Sequence, residues 1–475
     1  MKHSAPKPVP PAESPETAGA LSRRGFLAAG LGAPLVAARA AGARSPAPGD
    51  KLRIAAVGIG GMGKSYLEGC KDEHIVALCD LDHARPSTQE VFAKFPGAAR
   101  YRDFREMFER EAKNFDALIV ATPDHTHAVI ALAGLKLGKH LYCAKPIAHS
   151  VAEVRKIKAA VLAAPHLVTK ASVQSSASDA ACRTAELLEA QVIGAVREVH
   201  IWCDHPTYPC SLVRPKDTPT PPDGLDWDLW IGPAPFRPYH PAYHPSNWRS
   251  WWDFGSGAVG DMACHTLHAY FRELRLGAPA TIYGSSSTRH DGFFEYVATP
   301  ESQGYANLVT WEYPARGRLP PLKLHWYDGG MRPHRPDELD TSMELPRSGV
   351  LFVGEGGKLV AGFAGGNPYG KQGRGVPGGL LLPEEKFRGI NSPPKVLARC
   401  DPADHYREWV RACKEGRPTV CPVEFGCEMT EVALLGALAL RTKRLLTWDS
   451  AAARVTNHEQ ANAIVNPTYR DGWTL

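Results

Sequence analysis

A glycine-rich turn between a strand and a helix is the feature that most constrains how this chain can fold. Gly58, Gly60 and Gly63 form a G-x-G-x-x-G pattern after the apolar segment 52–57, a predicted buried strand, and before residues 64–70, a predicted helix. In such a turn the first glycine permits the tight bend, the second lets the backbone approach a pyrophosphate, and the third allows close helix–strand packing. Phosphates bind well at the helix N-terminus, where free N–H groups point outward. The pattern predicts a dinucleotide-binding turn, with Gly61 and Met62 as further contacts.

A carboxylate stands where such a turn needs one. The second apolar segment, 74–79, ends at Asp80, about 20 residues after Gly58, the usual place for an acid that accepts hydrogen bonds from ribose hydroxyls. The alternative is an ordinary strand–turn–helix with a solvated Asp80. Asp80 favours NAD, whereas Arg85 could meet a 2′-phosphate and keeps NADP open.

The first half of the chain alternates apolar strands with amphipathic helices. Residues 115–121 and 140–143 are predicted strands, residues 126–138 a helix, and Ser150 with Glu153 a capping box that begins the next helix. Parallel strands joined by helices predict a Rossmann-type, doubly wound parallel sheet. The fold class is therefore α/β, and we assign residues 51–175 to this nucleotide-binding domain.

After about residue 195 the pattern changes to strands with few helices between them. The predicted strands are 196–202, 280–287, 305–313, 322–327 and 350–353. Two helices, 404–414 and 427–441, follow near the end of the chain. Residues 176–475 are thus predicted to be an α+β domain with a large, open, mainly antiparallel sheet, whose last helices pack back on the first domain.

The first 50 residues are predicted to be a leader and linker. Ser22-Arg23-Arg24-Gly25-Phe26-Leu27 is a twin-arginine motif, followed by an apolar stretch too short to span a bilayer and by small residues suited to cleavage. This predicts export to the periplasm in a folded state by the twin-arginine machinery. An enzyme exported in this way takes up its nucleotide beforehand, so we expect a tightly bound cofactor.

Charge and cysteine content exclude some classes of protein. The leader carries six basic and three acidic side chains, so the rest of the chain has a net charge near +2, too small to indicate binding of nucleic acid or a membrane. The 11 cysteines include no C-x-x-C pair, and we expect no essential disulfide. His205, His240 and His244 lie in proline-rich loops without ligand spacing, and no metal site is predicted.

Three segments carry side chains suited to chemistry. Lys145, in Cys143-Ala144-Lys145-Pro146, follows a strand and could hydrogen-bond to a substrate hydroxyl, or it could be a surface lysine before a turn. Asp261 and His265 are four residues apart, on one helical face with His268 beyond them, although a core histidine and a capping aspartate would look the same.

The third segment is Thr122-Pro123-Asp124-His125-Thr126-His127, a predicted loop and helix start beside the cofactor.

Together these motifs resemble those of the glucose–fructose oxidoreductase / inositol dehydrogenase / MocA family, over residues 51–475. The resemblance rests on the glycine turn, Asp80, residues 122–127, residues 143–146 and the pair Asp261 and His265. Residues 404–409, 448–449 and 469–473 resemble the exported branch of that family. The family usually has Glu before the Lys-Pro, and here that residue is Ala144.

The resemblance implies a sugar or polyol dehydrogenase, often oligomeric through its open sheet. Its catalytic trio would be Lys145, Asp261 and His265, with Thr122, Pro123, His127 and Lys145 also beside the cofactor. In alcohol oxidation His265 would take the hydroxyl proton and Lys145 would stabilise the alkoxide. Asp261 would orient the His265 ring or share its proton. Trp248 and Trp252, with His268, are candidates for the sugar site, but the tryptophans could equally be core.

Two other functions remain open on this sequence. Bound NAD could oxidise a glycoside transiently and be reduced again, giving a glycoside hydrolase without net redox change. The second alternative is a protein that binds nucleotide or sugar without turnover. Loss of Lys145 or His265 would favour this alternative, and both residues are present.

Overall fold

The computed structural model describes residues 50–475, and the predicted twin-arginine segment lies outside them. Its first part is a six-stranded, fully parallel sheet of order β3-β2-β1-β4-β5-β6. The strands are β1 (Arg53–Val57), β2 (His74–Cys79), β3 (Ala99–Tyr101), β4 (Ala117–Val120), β5 (His140–Cys143) and β6 (Thr169–Ala171). The helices are α1 (Met62–Gly69), α2 (Pro86–Lys94), α3 (Phe104–Glu111), α4 (Asp124–Lys136), α5 (Val151–Ala163) and α6 (Asp179–Glu189).

The central strands are apolar except at their first residues, Arg53 and His140, because helices cover both faces of the sheet. All four residues of β4 are buried, as are the four of β5, and such continuous burial is typical of parallel strands. The predicted capping box is present, since Ser150 Oγ accepts from Glu153 N at 3.3 Å and Glu153 Oε2 accepts from Ser150 N at 2.8 Å. α4 begins two residues earlier than predicted because Pro123 already has the extended backbone of a helix cap.

The second part is a nine-stranded sheet of order β15-β14-β13-β7-β12-β11-β8-β16-β17. Its strands are β7 (Val196–Trp202), β8 (Thr281–Ser286), β11 (Asn307–Tyr313), β12 (Leu322–Tyr327), β13 (Gly349–Gly354), β14 (Lys358–Gly362), β15 (Leu380–Leu382), β16 (Leu446–Asp449) and β17 (Arg454–Val455), and a separate hairpin is formed by β9 (Arg289–Gly292) and β10 (Glu295–Val297). All neighbours are antiparallel except β7 and β12. The predicted fold class is therefore confirmed.

Six helices follow α6 in the described part of the chain. They are α7 (Trp227–Ile231), α8 (Gly257–Met262), α9 (Cys264–Leu267), α10 (His405–Glu415), α11 (Val423–Thr442) and α12 (Asn462–Val465), with 3-10 turns at Asn247–Ser250, Gly370–Gln372, Pro402–Asp404 and Glu459–Ala461.

The apolar helix α11 lies between the two sheets. It contacts α5 and β6 of the first domain and β8 and β11 of the second. Two glycines allow the close approach, because a Cβ on Gly426 would lie 2.6 Å from the Ala171 Cβ and one on Gly436 would lie 2.4 Å from the Trp311 ring. The two domains therefore share one hydrophobic core.

A buried ion pair also joins α10 to the first sheet. Lys170 on β6 is completely buried and pairs with Glu408, which also accepts from Arg417 Nη1 at 3.0 Å. Within residues 50–475, no helix has both the length and the apolar character needed to cross a bilayer. All eleven cysteines carry free thiols, and ten of them are buried.

Candidate active site

One cavity lies where the strand order of the first sheet reverses. β1 is flanked by β2 on one side and β4 on the other, so the helices that follow β1 and β4 leave on opposite faces and open a crevice at the carboxyl ends of the strands. The cavity has a volume of about 380 Å³, in the range of ligand pockets. Its walls come from both domains, with Gly58 and Lys145 on one side and Trp248, Asp261 and His265 on the other.

The glycine turn forms one wall of this cavity. Gly58 has φ +80°, and a Cβ there would lie 2.7 Å from the Ala121 carbonyl carbon, while one on Gly63 would lie 1.9 Å from Gly58 O. Gly61 has no atom within 4 Å of such a Cβ and lines the cavity with Met62. The open cradle thus lies at Gly61, where α1 begins, and this position suits a pyrophosphate.

Gly60 and Gly63 act differently from one another in the turn. A Cβ on Gly60 would lie 2.6 Å from Thr88 Oγ1 on α2, so this glycine permits helix packing as well as lining the cavity. Gly63 lies behind the turn, where it allows α1 to approach the end of β1, and it does not line the cavity.

Asp80 closes the glycine turn from the end of β2. Its Oδ2 accepts hydrogen bonds from Ile59 N at 2.8 Å and Gly60 N at 3.0 Å, and its Oδ1 accepts from Asp82 N at 3.0 Å. A carboxylate offers about four lone-pair sites, so Asp80 can also accept from a ribose hydroxyl in the cavity it lines. Arg85 lines the same end of the cavity.

The segment at the start of α4 divides between the cavity and the core. Thr122 and Pro123 line the cavity, whereas His127 is buried, with Nδ1 2.8 Å from Pro146 O and Nε2 2.7 Å from Thr122 O. The prediction that His127 contacts the cofactor is therefore corrected. Its ring joins the loop after β4 to the loop that carries Lys145, and so it positions both.

Asp124 ties α4 to the second domain. Its Oδ2 accepts from Ser256 N at 3.1 Å and Ser256 Oγ at 2.6 Å, just before α8. Burial raises the pKa of Asp124 to about 7, against the lowering effect of these hydrogen bonds.

Lys145 and Asp261 meet across the domain boundary. Lys145, after β5, donates from Nζ to Asp261 O at 2.9 Å and to the Asp261 carboxylate on α8. Arg249 Nε lies 3.7 Å from Asp261 Oδ2. Burial alone would raise the pKa of Asp261, but the charges of Lys145 and Arg249 and the Lys145 hydrogen bond lower it to about 2. Asp261 is therefore ionised at neutral pH.

His265 lines the same cavity from α9, one helical turn after Asp261. Burial, and then the charge of Lys145, lower the pKa of His265 to about 3, while Asp261 opposes the shift. Among the described residues, no hydrogen bond joins Asp261 to the imidazole, because the carboxylate faces Lys145. The expectation that Asp261 orients the His265 ring is corrected: Asp261 orients Lys145 and acts on His265 through its charge.

The predicted substrate residues separate in the structure. Trp248 lines the cavity with Arg249 stacked 4.4 Å above its ring. Trp252 packs against Gly257 and Arg441 outside this cavity, and His268 is buried with Nε2 3.0 Å from Ser175 Oγ. We therefore correct the assignments of Trp252 and His268, which serve the core, because each side chain points away from the crevice.

Several cavity residues were missed by sequence reasoning. Arg249 places a guanidinium beside Asp261, and its position within the tryptophan-rich run 248–252 was the only local signal. His205, set aside as a loop histidine, also lines the cavity, as does Trp473 near the end of the chain. No local pattern could have grouped these three, since each reaches the cavity from a different part of the second domain.

The fold and the cavity define a class of protein, a two-domain protein whose first domain has the NAD-binding Rossmann fold. Residues 52–171 match the oxidoreductase family GFO_IDH_MocA, NAD-binding Rossmann fold, and residues 213–277 match its C-terminal alpha/beta domain family. These two segments of the chain are similar to the Gfo/Idh/MocA oxidoreductase family, the family that the sequence motifs resemble.

Curated relatives match over the first domain. An inositol 2-dehydrogenase from Rubrobacter xylanophilus is 35% identical over 115 residues, which are 23% of this chain and 32% of the relative. The chain thus aligns with about a third of the length of the curated relatives it matches.

Solved structures share the fold over both domains. The WlbA dehydrogenase from Bordetella pertussis, in complex with NADH and UDP-GlcNAcA, has a TM-score of 0.53 and 15% identity, covering 84% of this chain and 99% of that one. An inositol dehydrogenase homolog from Azotobacter vinelandii, complexed with NADH and myo-inositol, has a TM-score of 0.52 and 16% identity, covering 84% and 98%. At these identities the likeness shows the fold alone.

Proposed function

We propose that this protein transfers a hydride between a carbinol carbon of a sugar, polyol or glycoside and a tightly bound nicotinamide dinucleotide. The observation that carries the proposal is the single cavity in which the glycine turn of the first domain faces Lys145, Asp261 and His265. The neighbours whose names include inositol or a nucleotide sugar support a carbohydrate substrate.

The cavity residues fit a nicotinamide dinucleotide. Gly61 leaves open the space that a Cβ would fill, at the N-terminus of α1, where the pyrophosphate would bind. Asp80 would accept from the adenine-side ribose and favours NAD, while Arg85 beside it would serve a 2′-phosphate if NADP binds. When bound, the nicotinamide ring supplies the hydride acceptor or donor.

Lys145 is arranged to hold a substrate hydroxyl. An ammonium group has three donors, and two of them are directed to the backbone oxygen and carboxylate of Asp261. The third remains for the oxygen of the substrate, where positive charge stabilises a developing alkoxide.

His265 is arranged to accept the hydroxyl proton. Its pKa of about 3 keeps the imidazole unprotonated at physiological pH but also makes it a weak base, so proton transfer to it depends on the charge of Asp261. The ionised Asp261 stabilises the imidazolium that forms, because it is the nearby group that raises the pKa of His265. Trp248 offers an apolar face to the C–H surface of a sugar ring.

Release of the bound nucleotide tests this proposal directly. The purified protein is denatured, and the released dinucleotide and its redox state are identified by mass spectrometry and absorbance. We expect one NAD(H) per chain, and sugars or polyols that are substrates should change its redox state in the intact protein. Absence of nucleotide, together with no binding of added NAD or NADP, would remove the proposal.

The same preparation separates the dehydrogenase from a glycoside hydrolase. Aryl glycosides are incubated without an external acceptor, and both the aglycone and the cofactor absorbance are followed. A dehydrogenase changes the cofactor without sustained release of aglycone, whereas continuous release at constant cofactor state would assign the hydrolase reaction. Bound nucleotide with no redox exchange over a broad sugar panel would indicate a binding protein.

We also propose that the protein is exported by the twin-arginine pathway and forms homo-oligomers. Residues 22–27 support export, and the solvent-accessible outer face of β7, β12, β11 and β8 supports assembly. Replacing Arg23 and Arg24 by Lys should leave the protein in the cytoplasm, and light scattering should give a mass above that of one chain. Unchanged localisation, or a monomer at all concentrations, would refute the respective proposal.

A further inference from the structure

Two histidines and a glutamate meet on the outer face of the second sheet, far along the chain from one another. β7 and β12 pair in parallel, with His200 opposite His325 and Glu198 opposite Lys323. Side chains two residues apart on a strand share a face, so Glu198 lies on the same side as both imidazoles. A ligand atom from each of these three residues lies within 4.8 Å of the others.

The two imidazoles are held in the orientation that metal ligands need. His200 Nδ1 lies 3.2 Å from the Tyr327 hydroxyl, and His325 Nδ1 lies 3.0 Å from Thr310 Oγ1. When Nδ1–H donates to such a hydroxyl, the lone pair is on Nε2. A histidine that binds a metal usually donates such a hydrogen bond from its other ring nitrogen. The rings stack with centroids 4.8 Å apart, and the two ligand nitrogens lie within 4.8 Å of each other.

Glu198 is available as the third ligand. The lysine opposite it, Lys323, pairs with Glu312 at 3.0 Å. Glu198 Oε2 lies 3.4 Å from His200 Nε2, and ligands of one tetrahedral Zn²⁺ with bonds of about 2.0–2.1 Å are about 3.3 Å apart. The remaining separation closes by a small rotation of Glu198, whose side chain is about half exposed.

We propose that Glu198, His200 and His325 form a zinc site that joins β7 to β12, with a fourth position left for water. Because this is also the proposed assembly face, the site would lie within or beside a contact between copies of the chain. Two imidazoles and a carboxylate are a donor set that Zn²⁺ takes in proteins. The site is separate from the active-site cavity, since none of the three residues lines it, and it does not depend on the proposed dehydrogenase activity.

Metal titration of the tag-free, full-length protein tests the site. After treatment with EDTA, we expect one equivalent of Zn²⁺ to bind in calorimetry and Co²⁺ to give visible bands typical of tetrahedral coordination. His325→Ala and Glu198→Gln should each weaken binding by at least about tenfold, and Thr310→Val should weaken it by about 10–100-fold through loss of the outer hydrogen bond. His334→Ala, which removes an exposed histidine elsewhere, is the control and should bind like the parent.

A second measurement controls for folding. The dichroism spectrum and thermal midpoint in EDTA should be the same for parent and variants, because the three side chains lie on the sheet surface. Added Zn²⁺ should raise the midpoint of the parent but not of Glu198→Gln. The proposal is overturned if the parent binds no stoichiometric Zn²⁺, if His325→Ala binds normally, or if binding is lost only in His265→Ala.

Discussion

Among single residues, Lys145 and Asp261 matter most, because their contact joins the two domains at the cavity. Removing the ammonium leaves a buried carboxylate with Arg249 as the nearest cation, 3.7 Å away. Removing the imidazole takes away the proton acceptor. Neither change touches the glycine turn, so chemistry and nucleotide binding should separate.

Lys145→Ala and His265→Ala should each lower kcat by at least about a hundredfold, because each group acts on the charge or proton of the reacting hydroxyl. Nucleotide content measured after denaturation should stay at the parent level. Lys371→Ala and His334→Ala remove exposed groups of the same types and should retain full activity. Near-normal turnover in both active-site variants would exclude the proposed roles.

The pH dependence of activity should lack the limb expected for an ordinary histidine. Because burial and Lys145 lower the pKa of His265 to about 3, it stays unprotonated down to about pH 4, and its protonation does not reduce kcat/KM near pH 6.5. A limb near pH 7 would arise from Asp124, whose pKa burial raises to about 7. The test is to measure kcat/KM as a function of pH for the parent and for Asp124→Asn. A limb near pH 6.5 that persists in Asp124→Asn would contradict this assignment.

At the scale of elements, the turn between β1 and α1 leaves no room for a side chain at Gly63, on the side of the turn away from the cavity. A Cβ on Gly63 would lie 1.9 Å from Gly58 O, a backbone atom that cannot move without displacing the helix start. Helix α11 is under a similar constraint where Gly436 faces Trp311, whose Nε1 donates to Val432 O at 3.0 Å.

Gly63→Ala should therefore lower nucleotide affinity by at least about tenfold, since the N–H groups at the start of α1 move. Gly97→Ala is the matched control, because a Cβ there meets no atom within 4 Å, and it should change the free energy of unfolding by less than about 1 kcal/mol. Isothermal titration with NAD after removal of bound nucleotide provides the comparison. Equal affinity in both variants would show that the turn does not bind the phosphates.

At the scale of the whole molecule, buried histidines set the response to acid. Burial lowers the pKa of His125 and His265 to about 3, of His140, His149, His268 and His325 to about 4, and of His405 to about 2. The unfolded chain binds these protons below about pH 6.5 while the folded chain does not, so stability falls as pH falls from 6.5 towards 4.

Burial raises the pKa of four carboxyls, Asp124, Asp328, Glu153 and Glu273, and they oppose this trend but do not reverse it. Burial raises the pKa of Asp124 and Asp328 to about 7, so their contribution favours folding at low pH and is lost as pH rises from about 4 to 7. Because each group contributes at most about 1.4 kcal/mol per pH unit, the more numerous imidazoles dominate. Urea unfolding should give a lower midpoint at pH 5 than at pH 7.5.

His405→Phe should reduce that difference between the two pH values. Both ring nitrogens of His405 lack a hydrogen-bond partner among the described residues, and the side chain is completely buried against Tyr142. Replacement by Phe removes one proton-binding site of the unfolded state and two unpaired polar atoms. A midpoint that depends on pH as in the parent would contradict this account.

Local sequence determined the elements that depend on neighbouring residues. The glycine turn, the capping box at Ser150 and the strands 196–202 and 322–327 follow from backbone freedom, cap chemistry and hydrophobic periodicity, and the structure confirms them. The resemblance to the Gfo/Idh/MocA family was visible for the same reason, since its motifs are short and mostly contiguous. Helix α11 begins four residues earlier than predicted because Pro422 provides the cap.

Tertiary structure alone decided which side chains meet. Lys145, after β5, reaches Asp261 on α8, which also lies beside Arg249, while Trp252 and His268 turn into the core, and no sequence pattern distinguishes those directions. His200 and His325 come together only through the parallel pairing of β7 and β12, which spacing along the chain does not encode. Backbone preferences are local, whereas side-chain contacts between distant segments follow from the packing of one shared core.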